Sequence, residues 1–218
     1  GCSSGNVALA NAYYSVALGG TDIMVAGGVD TPIYPLTFGL YSASQAMTTR
    51  NGDPTKAMCP YDHRRSGFVL GEGAGTLILE NMDHALKRRA RIYGEIIGCA
   101  LTNDADDSTV FSPEIRDMVV AFQKALNQSE IEPEEVDYIC GHAHSSVILD
   151  KKETNVIKNV FGDHAYKLAV STIKALVGHS MAGGTAMQSI ATCLALKEGF
   201  LPPTINYEVQ DPDCDLDY

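Results

Sequence analysis

Cys2, the segment Gly141-His142-Ala143-His144-Ser145-Ser146, and the segment Thr172-Ile173-Lys174-Ala175-Leu176-Val177-Gly178-His179 hold the side chains with the types and contexts to do chemistry. Cys2 stands among the small residues Gly1-Cys2-Ser3-Ser4-Gly5, which run straight into the Ala-rich stretch Asn6 to Leu18. A cysteine at that point faces the positive end of a helix dipole, the setting of a nucleophile. Most free cysteines are merely small buried groups, and a single histidine near a core is usually a hydrogen-bonded structural residue. What raises these residues above their separate expectations is that both histidine segments follow predicted strands. In an α/β sheet, sites form in the loops beyond the carboxyl ends of strands, so a Cys-His-His site is expected.

The elements that must position these groups can be read in order. A helix over Asn6 to Leu18 is closed by Gly19-Gly20. Ile23-Met24-Val25-Ala26-Gly27-Gly28 is a short continuous apolar run, expected to be a strand buried on both faces. Thr31 to Asp62 is broken by Pro32, Pro35, Gly39, Gly52, Pro54 and Pro60, which predicts loops and short helices that carry a binding surface. Gly67 to Glu80 puts a Gly-rich turn before a buried strand. It lacks a Lys after its glycines and leads into a strand, so close backbone packing explains it better than phosphate binding.

Met82 to Arg89 predicts a short helix and Tyr93 to Ala100 a strand, with a boundary near residue 90. Beyond it, a helix from about Ser112 carries Ile115, Val119, Phe122 and Leu126 on one face. Strand Val136 to Cys140, helix Lys151 to Val160, strand Leu168 to Ser171 and helix Gly184 to Lys197 follow. This alternation predicts α/β halves, 1–90 and 91–218, with a mainly parallel sheet.

Composition narrows the function. The 218 residues are 45% hydrophobic and 20% charged, as in a soluble globular protein, and no apolar run reaches membrane-spanning length. A net charge of −11 argues against nucleic acid or an anionic membrane as partner. Six scattered cysteines without CxxC spacing suit neither a zinc site nor a disulfide framework. The chain reads as cytoplasmic, with a plastid or other organelle left open.

The order and spacing of Cys2-Ser3-Ser4-Gly5, Ala26-Gly27-Gly28, Thr49-Arg50-Asn51, Pro60-Tyr61-Asp62, Gly67 to Ala74, Lys174 with Gly178-His179, and Leu201 to Asn206 make the chain resemble the β-ketoacyl synthases of fatty-acid and polyketide assembly. The likeness is to the dissociated synthase II type and covers nearly the whole length. It implies a thiolase-like fold, layered αβαβα, here incomplete at both ends, and a homodimer or a pairing with a related ketosynthase subunit. It places the catalytic cysteine on Cys2, the catalytic histidines on His142 and His179, and the supporting lysine on Lys174. Phe68 matches an aromatic residue of the acyl pocket, and Asp150 and Glu153 match acidic residues behind the first histidine.

By that resemblance Cys2 takes an acyl group from an acyl carrier protein, a malonyl thioester loses carbon dioxide, and the carbanion attacks the acyl-enzyme. Two neutral imidazoles would each present an N–H to the enolate. Lys174 would keep His142 unprotonated. No metal or organic cofactor is implied; the substrates ride on the phosphopantetheine of the carrier protein.

The family's first-histidine loop usually reads His-Gly-Thr-x-Thr, with both hydroxyls on the pantetheine arm. In this chain Ser146 keeps one hydroxyl and His144 replaces the other, and both are expected to bind substrate. The family also has elements before the nucleophile and a Gly-Phe-Gly-Gly segment after the point reached by Tyr218, so the lone chain is expected to be inactive. A cysteine acyl hydrolase, which would need neither the second histidine nor Lys174, and a non-condensing partner subunit are the alternatives. For docking an acidic carrier protein, the candidate cations are Arg50, Lys56, Arg64 and Arg65, and the cluster Lys87, Arg88, Arg89 and Arg91.

Overall fold

The computed structural model describes residues 1–105 and 112–218. Its first helix, α1 (Ser4–Ala17), starts two residues earlier than the Ala-rich stretch suggests, with Ser3 at the N-cap. It ends in a left-handed turn at Gly19, φ +73°, where the Gly20 N–H reaches back to the Ser15 carbonyl at 2.9 Å. The chain then enters β1 (Ile23–Asp30), passes α2 (Pro35–Ala43), and returns in β2 (Gly73–Glu80). β1 and β2 pair antiparallel, with Ile23 opposite Glu80 and Asp30 opposite Gly73.

Two expectations fail here. The sheet is not mainly parallel, because the long connection brings β2 back alongside β1 in the opposite direction. Neither is β1 buried on both faces: α1 and the last helix cover one side, while Val25 and Val29 on the other are 65% and 66% exposed. An unbroken apolar run reports two apolar faces and does not say whether both are covered. Helix α2 has no buried residue, and its Leu36 and Leu40 also face outward.

Next comes α3 (Met82–Lys87), capped by the Asn81 side chain, which accepts from the N–H groups of Asp83 and His84. The strand expected at Tyr93 to Ala100 is absent among the described residues; that segment is irregular. It lies along the helices instead, with the Cys99 N–H donating to the Gln128 side chain, and no strand offers it a ladder. Helix α4 (Arg116–Ser129) begins four residues later than Ser112. Its Val119, Phe122 and Leu126 face inward, as the periodicity requires.

β3 (Tyr138–Cys140) and β4 (Ala169–Ser171) form the one parallel pair of strands among the described residues, beside isolated parallel bridges such as that of Leu70 with His179. Between them runs α5 (Val147–Phe161), extended by four residues at its start because Ser146 accepts from the Leu149 N–H and caps it. The short α6 (Lys174–Val177) and long α7 (Met181–Glu198) complete the order. No described helix is long and apolar enough to cross a membrane.

The core has two parts. One, beneath β3, β4 and α5, gathers Ile157, Phe161, Leu168, Val170, Leu216 and, from far earlier in the chain, Tyr61. The other gathers Met58, Phe68, Leu70 and Met181, with Cys2 packed against it. Helices α1 and α7 approach each other closely over β1. A side chain at Gly5 would lie 2.5 Å from the Ala182 carbonyl oxygen, and one at Gly28 would lie 3.2 Å from the Gly5 Cα. Only glycine permits that contact.

Candidate active site

The close approach fixes the position of Cys2. Cys2 precedes the N-cap Ser3 of α1, and its carbonyl accepts from Thr185 Oγ1 of α7 at 3.4 Å. It is half-buried against the cluster of Met58, Phe68, Leu70 and Met181.

The first histidine loop leaves β3 at Cys140 and turns sharply, with Ala143 at φ +29° and Ser145 at φ +69°, a backbone region that non-glycine residues seldom adopt. Its contacts explain why the turn persists. The Glu153 carboxylate accepts from the N–H groups of His142 at 2.6 Å and Ala143 at 2.9 Å. Asp150 accepts from the Ser146 and Tyr61 N–H groups at 3.3 and 2.9 Å. Ser145 Oγ accepts from the Cys59 N–H, and Arg65 donates to the carbonyls of Ser146 and Val147. Of the acids expected behind His142, Glu153 therefore acts on its backbone, and Asp150 acts on the backbone of Ser146 at the other end of the loop.

His179 is set by a different neighbour. Gly178, at φ +75°, packs on Gly71, while the His179 N–H donates to the Val69 carbonyl and its own carbonyl accepts from Gly71. The ring is 2% exposed and its Nδ1 has no partner among the described residues. Burial, reinforced by the nearby Lys174 charge, pushes its pKa down to about 3. Burial and then Lys174 likewise hold His142 well below the usual histidine range. Both imidazoles are neutral near pH 7, so each keeps one N–H to donate.

Lys174 is 1% exposed, and burial lowers its pKa to about 8 against the opposing pull of Glu153. Its ammonium donates to Gln188 Oε1 at 2.6 Å, and Gln188 Nε2 donates to the Gly141 carbonyl. The ligand atoms of Cys2, His142 and His179 lie within 4.8 Å of one another. Their rings stand perpendicular, centroids 5.4 Å apart. A thiol and two imidazoles so placed offer a nucleophile facing two hydrogen-bond donors; they could also close on a soft divalent cation.

Phe68 meets His179 edge to face at 5.1 Å and stacks on His144 at 5.5 Å. His144 is thereby a third imidazole in the cluster, its centroid 4.8 Å from that of His142. It is His144, not His142, whose ring approaches Asp150, Nδ1 to Oδ1 3.8 Å. The hydroxyl of Ser146 already accepts as the cap of α5, leaving its own proton to donate.

Of the proposed docking cations, Arg65 is misplaced. Its side chain is 2% exposed and bound to Asp211 at 2.5 Å, so it cannot meet a partner. Arg64 is clamped to Asp62 and Glu208, Lys56 to Glu208, and Arg88 to Glu80. Arg50 points its guanidinium at Cys59 Sγ, and Arg91 lies over the Tyr93 ring. Lys87 and Arg89 remain exposed, without a carboxylate among the described residues. Sequence reading also missed Gln188 and Tyr61. The signal for Gln188 was a lone amide on a largely apolar helix; for Tyr61, its place in Pro60-Tyr61-Asp62, one of the segments that carry the resemblance.

A family model described as "Beta-ketoacyl synthase, N-terminal domain" matches residues 1–85, and one described as "Beta-ketoacyl synthase, C-terminal domain" matches residues 93–208. A 3-oxoacyl-[acyl-carrier-protein] synthase 2 of Synechocystis sp. is 42% identical over 217 residues, which cover 100% of this chain and 52% of that protein. The tetracenomycin polyketide synthase ketoacyl synthase alpha subunit of Streptomyces glaucescens is 38% identical over 218 residues, covering 100% and 51%. The chain thus spans about half the length of the curated relatives it matches. Among solved structures, a type II polyketide acyl-carrier protein in complex with its ketosynthase bound to the hexaketide contains a chain 38% identical, with a TM-score of 0.97 over 100% of this chain and 53% of that one. A β-ketoacyl synthase from Burkholderia phymatum gives 32% and 0.93, covering 100% and 52%. Agreement at that level over the whole chain gives it the thiolase-like fold of those ketosynthases.

Proposed function

The chain belongs to the β-ketoacyl synthase family, and from that premise we propose that it carries the chemistry of a ketosynthase making 3-oxoacyl thioesters in fatty-acid or polyketide assembly. Cys2 sulfur attacks the carbonyl of an acyl thioester; the C–S bond to the carrier breaks, and the carrier thiol leaves with the proton Cys2 gave up. A malonyl thioester then enters, and its bond to the carboxylate breaks. Carbon dioxide departs, and the electron pair forms an enolate whose oxygen accepts from His142 and His179. The carbon attacks acyl-Cys2, the C–S bond to Cys2 breaks, and the thiolate recovers a proton.

The observation that carries this reading is the pair of neutral imidazoles facing one thiol. A hydrolase needs one histidine as base; an enolate needs donors, and two are at hand. Phe68, His144 and Ser146 are the substrate contacts of the proposal. No metal or organic cofactor takes part, since the substrate arrives on the phosphopantetheine of an acyl carrier protein. A relative of known structure is a ketosynthase held with its acyl-carrier protein, and another is a ketosynthase/chain length factor pair. By analogy this protein works in the cytoplasm with a carrier protein, as a homodimer or with a related subunit, and residue 90 divides its two halves.

The test uses the complete protein. Incubated with an acyl-carrier-protein thioester, it should gain one acyl group, on Cys2. Mass spectrometry finding the label on Cys59, Cys99, Cys140, Cys193 or Cys214 would sink the assignment. His142→Ala and His179→Ala should each slow malonyl decarboxylation by about 100- to 1000-fold while leaving Cys2 acylation intact. Equal loss of both steps, with release of free acid, would point to a cysteine hydrolase.

A further inference from the structure

Resting on that reading, we infer that Tyr61 is a positioning residue for His142, acting through the Glu153 carboxylate that its hydroxyl and the His142 N–H share. Tyr61 is fully buried, lies 81 residues before His142 in the chain, and makes its hydrogen bonds among the described residues to Asp150, Glu153 and Arg65, not to Cys2, His142 or His179. Its OH donates to Glu153 Oε2 at 2.9 Å. Glu153 in turn accepts from the N–H groups of His142 and Ala143, the strained start of the loop. The backbone N–H of Tyr61 donates to Asp150, which accepts from Ser146 at the far end of that loop. One residue thus grips both carboxylates that hold the loop's two ends.

The remaining geometry fixes Tyr61 itself. It adopts φ +60°, and its ring stacks on Tyr218 at 3.8 Å with planes 19° apart. The hydroxyl sits where a Cβ on Gly141 would have to be, so glycine at the end of β3 makes room for it.

The chemistry follows from charge. Glu153 is buried, and burial raises its pKa; the donors from His142, Ala143 and Tyr61 work against that rise. The Tyr61 hydroxyl is itself driven further from ionisation by burial and by Glu153, so it remains a donor. The other charged or titratable groups facing Glu153 are Asp150 on its own helix, Lys174 on α6 and Tyr218 at the end of the chain. Asp150 itself faces Arg65 and His144. Only an ionised Glu153 accepts both backbone N–H groups at full strength.

Tyr61→Phe keeps the stacked ring and removes only the donor. In the complete protein the acid side of the pH profile for malonyl decarboxylation should move up by about one pH unit, a rate about tenfold lower there, with KM little changed. The same shift should appear without turnover: in protein labelled with 15N-histidine, the His142 amide signal, identified by its loss in His142→Gln, should titrate at a correspondingly higher pH. Unmoved curves, or a lowered melting temperature with both curves in place, would make Tyr61 mere packing and overturn the inference. If the wild-type protein fails to decarboxylate malonyl thioesters, the ketosynthase reading falls, and the amide titration still decides the role of Tyr61.

Discussion

Lys174 Nζ donates to Gln188 Oε1 at 2.6 Å, and Gln188 is the same side chain that donates to the carbonyl just before His142. A buried ammonium is thus linked through one amide to the loop carrying the His142 imidazole. Its charge is costly in that setting, which is why its pKa falls to about 8.

The sign of the resulting pH dependence is fixed. Between about pH 8 and the ordinary lysine value near 10.4, the unfolded chain holds a proton that the folded chain has released, so Lys174 adds stability as pH rises through that window. In denaturant titrations, the stability of the wild type minus that of Lys174→Met should rise across it. A constant difference would mean that the lysine is not held at a lowered pKa.

On the acid side the same reasoning applies to His179. Its folded pKa of about 3 lies below the usual 6.5, so the unfolded chain binds the extra proton in between, and stability falls as pH drops from 6.5. The slope from this one group is about 1.4 kcal/mol per pH unit. His179→Gln should flatten the acid limb by that amount; an unaltered limb would show that the imidazole already titrates normally.

Gly5→Val should detach Cys2 from its partners without touching the histidines. The new Cβ would lie 2.5 Å from the Ala182 carbonyl oxygen, so α1 must shift from α7 and carry Cys2 with it. Acylation of Cys2 should fall at least tenfold, as misplacement of a reacting group by about 1 Å commonly costs more. Gly52→Val, where nothing lies within 4 Å, should leave acylation unchanged. Equal rates for the two variants would refute the packing account.

Charge reversal should separate a fold cation from a docking cation. Arg65→Glu would leave Asp211 and Asp150 facing a third carboxylate in a buried site, and the protein should be recovered misfolded or with a markedly lower melting temperature. Arg89→Glu should fold normally, raise KM for carrier-bound substrate chiefly at low salt, and spare a pantetheine mimic. Like effects on both substrates would remove Arg89 from the docking surface.

Most of the elements, and the cysteine and two histidines that the structure brings together, were legible in the sequence because they rest on local signals. Cys2 lies before a helix, and His142 and His179 lie after strands. What the sequence could not settle depends on partners distant along the chain. The antiparallel pairing of β1 with β2 is decided by the path of the 42 residues between Asp30 and Gly73. Arg65 reads as a surface cation until the fold brings Asp211, 146 positions away, within 2.5 Å. Tyr61 reads as one more aromatic until Glu153, 92 positions away, takes its hydroxyl. Apolar periodicity reports which side of an element seeks cover, whereas the satisfaction of a buried polar group is a property of two or more segments at once. That is why only the tertiary structure revealed which backbone groups Glu153 and Asp150 hold, and that the Gln188 amide joins them in fixing the His142 loop.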